Sequence, residues 1–81
     1  MSNFDTSNVK DMSYMFGGCK NFNSDISNWD VSGVEKMYGM FAGCTNFNQD
    51  ISNWNVRNVN EASYMFNRCN IKEEYKPKFN I

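Results

Sequence analysis

One unit of 25 residues is written three times along this 81-residue chain, and that repetition limits the fold more than any other feature. Residues 4–28 and 29–53 align without a gap and agree at 15 of 25 positions. A third copy opens at Trp54. It keeps Trp54, Val56, Val59, Met65, Phe66 and Cys69 in phase and fades after Asn70. Phe79, Asn80 and Ile81 match the opening of a fourth. A unit this short cannot bury an apolar stripe alone, so the expectation is that neighbouring units stack and bury it against one another.

The apolar positions fall into two sets. Val34, Met37, Met40, Phe41 and Cys44 have the one-faced spacing of a short helix. Ser32 with Glu35, and Asn58 with Glu61, read as capping boxes at its start, and Gly18 and Gly43 fall where it would end. Trp29 and Val31 bracket Asp30 as in a short half-buried strand, and the pairs Phe4/Thr6 and Trp54/Val56 hold the same places. Phe22 and Ile26 point inward from a return loop rich in Asn, Asp and Ser. The fold class expected is therefore an α/β repeat. It is a short right-handed solenoid, with parallel strands on one side and short helices on the other. The chain forms one domain, 1–81, of units 4–28, 29–53 and 54–78, with residues 71–81 as a C-terminal cap. In that cap, charge replaces the Phe22/Phe47 phase at Lys72 and the Ile26/Ile51 phase at Lys76, and Pro77 blunts the edge. The opening at Phe4-Asp5-Thr6, already in strand phase, leads us to expect earlier repeats before Met1 and self-association through an uncapped N-terminal end.

The blocks Trp29-Asp30-Val31-Ser32, Met40-Phe41-x-x-Cys44 and Asn46-Phe47-Asn48-x-Asp50-Ile51-Ser52 recur in order and at fixed spacing. In this the chain resembles the bacterial surface-protein repeat of mycoplasmas and Gram-positive cell-surface proteins, a relative of the leucine-rich repeats. The resemblance implies a horseshoe segment at the cell surface or secreted, with adhesion or host-protein binding as its use. No signal peptide or anchor stands in this chain itself.

Composition narrows the function classes. Eight Lys+Arg against nine Asp+Glu leave a net charge of −1, which offers no footprint for nucleic acid. No apolar run suits direct membrane insertion. The chain has no His, no nucleophile–base pair and no phosphate-binding Gly loop, so an enzyme is not expected, nor any cofactor. Cys19, Cys44 and Cys69 stand at one phase, and three lone Cys without His read as buried free thiols rather than a zinc site or disulfides. Asp5/Asp30 and Asp25/Asp50 also stack in phase, and read as turn-holding groups rather than calcium ligands. The pairs Asn21/Asn46, Asn23/Asn48 and Asn28/Asn53 read as side-chain ladders between units. The Met residues and both Trp read as core. The residues left to face outward on the sheet are Asn28, Asp30, Ser32, Asn53, Asn55 and Arg57, which form the candidate binding face. The function expected is a non-catalytic protein-binding module, part of a surface adhesin-like protein, with a host or cell-surface protein as partner. The alternative is a passive spacer with no ligand of its own.

Overall fold

The computed structural model of the protein describes residues 6–81. The strand position Phe4, the Asp5 carboxylate and the expected bare opening of the first unit lie outside the described residues. Each unit contributes a ribbon of overlapping β-turns where the helix is expected. In the middle unit Met40, Ala42 and Cys44 donate their amides three residues back, to the carbonyls of Met37, Gly39 and Phe41. The alternate amides point the other way. Met37, Gly39, Phe41 and Gly43 donate to the carbonyls of Glu61, Ser63, Met65 and Asn67 in the third unit, at 2.7–2.9 Å. The first unit repeats this rule, with Met12, Tyr14, Phe16 and Gly18 donating to Lys36, Tyr38, Met40 and Ala42. In the first two ribbons the amides thus alternate between their own unit and the next, save Tyr38, whose amide donates to the Ser13 hydroxyl of the preceding unit.

This pattern overturns the α/β solenoid. Among the described residues there is no α-helix, and the one helical element is a 3-10 turn at Glu73–Tyr75. There is no parallel sheet either, only isolated parallel bridges at Asp11–Lys36 and Lys36–Glu61. The physical reason lies in the backbone. Tyr14, Gly39 and Tyr64, at one phase, have φ of 59°, 60° and 59°. Gly18, Gly43 and Arg68, at another, have φ of 76°, 79° and 59°. A left-handed residue every fourth position cannot continue a right-handed helix. The expected strands fail for a similar reason. Trp29 donates to Ile26 and Val34 to Val31, so turns close on both sides of Val31 and leave no extended run. The same corners recur at Trp54–Ile51 and Val59–Val56. The body that results measures 29 × 26 × 21 Å.

The inward phases are as read except at Met15, expected in the core with the other in-phase Met residues but 36% exposed, because it lies on the first ribbon with no preceding ribbon over it among the described residues. Val34, Met37, Met40, Phe41, Cys44, Phe47 and Ile51 are 0% exposed, and Trp29 and Trp54 are buried beside them. Phe16, Phe41 and Phe66 stack face to face at 5.5 and 5.7 Å, and Phe22 and Phe47 stack next to them at 5.5 Å. Trp54 donates its indole N–H to the Ile26 carbonyl at 3.2 Å, tying the third unit to the first. After Asn70 the register slips by one residue. Ile71 is buried, and the Lys72 amide reaches Asn48 Oδ1 at 2.9 Å, where one unit earlier Asn48 reaches Asn23.

Candidate interaction surface

The Asp residues hold corners. Asp25, Asp30 and Asp50 each accept both the amide and the hydroxyl of the Ser two residues on, at 2.6–3.0 Å. Asn55 accepts the Arg57 amide in the same way, so the corner needs an acceptor and not a charge. The Ser27, Ser32 and Ser52 hydroxyls, with their amides, hold the three carboxylates below the ordinary 3.8. A lowered folded pKa contributes stability above the unfolded pKa, and that stability is lost as pH falls through the folded value. The melting temperature is therefore expected to stay level from neutral pH to about pH 4.5 and to fall below that. The triple variant Asp25→Asn, Asp30→Asn and Asp50→Asn should flatten this acid limb, because Asn keeps the acceptor without the titration. An unchanged acid limb in thermal melts would contradict the corner role.

The Asn columns bind unit to unit. Asn46 Nδ2 meets Asn21 Oδ1 at 3.4 Å, the Asn48 amide donates to Asn23 Oδ1 at 2.9 Å, and Gln49 reaches the same Asn23 oxygen at 3.1 Å. No such bond joins Asn28 and Asn53. The cysteines form a column, but they are not equally buried. Cys44 is buried and donates its thiol to the Phe16 carbonyl at 2.9 Å, Cys69 is half-buried, and Cys19 is exposed. This corrects the expectation of three buried thiols. Cys19 lies on the first ribbon and has no preceding ribbon over it among the described residues. Burial pushes the Cys44 thiol up to about 11, and it feels the Cys19 amide and both neighbouring thiols. Among the described residues no group of three or more His, Cys, Asp or Glu could hold a metal ion.

The six residues of the expected binding face are placed as follows. Asn28, Asp30, Asn53, Asn55 and Arg57 are exposed and Ser32 is half-buried. They sit on corner turns and not on the sheet expected to carry them. Asp30 is occupied by Ser32, and the Ser32 carbonyl by Asn58 Nδ2 at 2.7 Å.

A different surface stands out on the outer side of the turn ribbons. Tyr14, Tyr38 and Tyr64 form a row of edge-on rings with centroids 5.3 and 5.6 Å apart. Tyr14 is 59% and Tyr64 65% exposed, and Met15 lies open beside them. The row depends on a local swap. The outer units read Ser13-Tyr14 and Ser63-Tyr64, whereas the middle unit reads Tyr38-Gly39. Gly39 leaves its outer face bare, and the Tyr14 ring lies over it: a Cβ there would come within 2.6 Å of Tyr14 Cε1. A hydrogen bond with Tyr14 holds Tyr38 above its ordinary value of 10.0, with burial and the Glu61 charge adding to the effect. Reading by repeat phase missed this row because Tyr38 is one position out of phase with the other two. The Ser-Tyr to Tyr-Gly exchange is the signal that marks it.

A chain made of one unit stacked on itself in register is a repeat protein. It belongs to the family described as "Mycoplasma protein of unknown function, DUF285", whose model matches residues 1–80. The match supports a mycoplasma-type repeat but not the leucine-rich-repeat likeness. No curated protein and no solved structure matches the chain. No helix among the described residues is long and apolar enough to cross a membrane.

Proposed function

We propose that this chain is a non-catalytic protein-binding module whose partner is a host or cell-surface protein, carried at the cell surface or in a secreted protein. What carries this reading is the row Tyr14–Tyr38–Tyr64, with two rings more than half exposed and Met15 open beside them. Tyrosine is enriched at binding hot spots because it offers a large, rigid ring with a polar tip. The corner residues Asn28, Asp30, Ser32, Asn53, Asn55 and Arg57 form a second, polar patch for the same test.

The test uses beads coated with the full chain and washed over host cells and purified extracellular matrix proteins. The double variant Tyr14→Ser, Tyr64→Ser should cut retention at least about tenfold, as expected when two aromatic anchors are lost. The triple variant Asn28→Ala, Asp30→Ala, Asn53→Ala reports on the polar patch. Retention that neither set of changes alters, or no retention of the parent chain, would favour the passive spacer.

A further inference from the structure

The ribbons donate in one direction only, so the stack has two unlike edges. On the third ribbon the amides of Ala62, Tyr64, Phe66 and Arg68 stand where Met37, Gly39, Phe41 and Gly43 donate one unit earlier, and they have no acceptor among the described residues. On the first ribbon the carbonyls of Asp11, Ser13, Met15 and Gly17 stand where Lys36, Tyr38, Met40 and Ala42 accept, and none of the described residues donates to them. Residues 71–81 do not close the donor edge. They pass instead toward the second unit, where the Tyr75 carbonyl takes the Ile51 amide at 3.0 Å.

We propose that a second copy of this chain is a partner for these edges: the amides of Ala62, Tyr64, Phe66 and Arg68 in one copy donate to the carbonyls of Asp11, Ser13, Met15 and Gly17 in the next. The junction reproduces, between copies, the four-bond interface that the molecule already builds twice within itself. The left-handed backbone positions recur in phase at Tyr14, Gly39 and Tyr64. Within the molecule the Tyr14 ring lies over the bare Gly39, so at the junction the Tyr64 ring must turn aside where Tyr14 of the next copy takes that place. The contact is head to tail, so it extends into chains of molecules rather than closing a pair.

Two features set its strength. Along the bridge row the charges alternate as Asp11, Lys36, Glu61, and a following copy brings Asp11 against Glu61. Like charges placed side by side oppose association and are screened by salt. The Lys76 ammonium also lies 5.3 Å from the Phe66 ring centroid, held by Glu73 at 2.6 Å, and must leave before Phe16 of the next copy can stack there. The assembly is therefore weak at low ionic strength and tightens as salt rises.

The cysteine column supplies a native probe. Cys69 of one copy would lie beside Cys19 of the next, within disulfide reach. Inside one molecule those two residues are two ribbon steps apart, roughly 10 Å at about 4.8 Å per step, which is too far to bridge. The full chain is treated with a mild thiol oxidant across a concentration series, and the links are mapped by mass spectrometry. Sedimentation is measured in parallel for the parent and for Glu61→Gln, which keeps the acceptor for the Ser63 amide. The result expected is intermolecular Cys19–Cys69 linkage that grows with concentration. Glu61→Gln should associate about threefold more tightly at low salt and lose most of the salt dependence. Links that are mainly Cys19–Cys19 or Cys69–Cys69, no links at all, or a monomer in both proteins at all concentrations would overturn the proposal.

Discussion

Phe41→Ala is expected to leave the chain largely unfolded at room temperature. Phe41 is 0% exposed and lies at the middle of the aromatic stack. Its ring stacks on Phe47 at 4.3 Å, on Phe16 at 5.5 Å and on Phe66 at 5.7 Å, and it tilts against Trp54 at 6.2 Å. Removing a buried Phe costs ~3–5 kcal/mol, from lost transfer energy and from the cavity left behind. A domain of this length holds ~4–12 kcal/mol in total. Collapse around the hole is limited, because the ribbons above and below are pinned by four backbone bonds each. Phe66→Ala, at the half-buried end of the same stack, should cost less than half as much. Near-ultraviolet circular dichroism and thermal melts of the two variants check this. A cooperative melt for Phe41→Ala close to that of the parent would contradict the stacked core.

The second large effect concerns the thiols. Cys19 should react with a maleimide or disulfide reagent at least about a hundredfold faster than Cys44 in native protein, with Cys69 between them. Cys44 is 0% exposed and its thiol is pushed up to about 11 from an ordinary 9.0, so both access and thiolate fraction are low. The raised value also gives a sign for stability. A group whose folded pKa lies above its unfolded value contributes stability that is fully present below the unfolded pKa and is lost as pH rises toward the folded one. Melting temperature should therefore decline between about pH 9 and pH 11, and Cys44→Ala should remove the part of that decline due to Cys44. Equal labelling rates at Cys19 and Cys44 would contradict the arrangement of the column.

The inward phases were legible in the sequence because burial depends on the repeat and not on the element that carries it. Val34, Met37, Met40, Phe41 and Cys44 share one side of a turn ribbon as they would share one side of a helix. Overlapping turns with bonds three residues back give nearly the helical spacing. The difference lies in where the alternate amides go, and side-chain spacing does not record that. Gly18, Gly39 and Gly43 carry part of the information, since all three take left-handed φ. Tyr14, Tyr64 and Arg68 take the same left-handed φ without a glycine to mark it. The Asp-x-Ser corners and the Asn columns could be read because their chemistry is local or strictly periodic. The six residues of the expected binding face are carried on corner turns, because the turns closing at Ile26–Trp29 and Val31–Val34 leave no strand to hold them. The tyrosine row stayed hidden because it is built across an out-of-phase exchange.

The central claim is that alternate amides of the first two ribbons bind the next unit, while the turn amides of all three bind their own. Amide hydrogen exchange at low protein concentration, read residue by residue, tests it most directly. In the third ribbon Met65, Asn67 and Cys69 should be protected by their turn bonds, while Ala62, Tyr64, Phe66 and Arg68 exchange fast. In the middle ribbon Met37, Gly39, Phe41 and Gly43 should be protected along with Met40, Ala42 and Cys44. Unbroken protection from Met65 through Cys69, matching the middle ribbon, would mean that these segments are helices and would contradict the stack of turns.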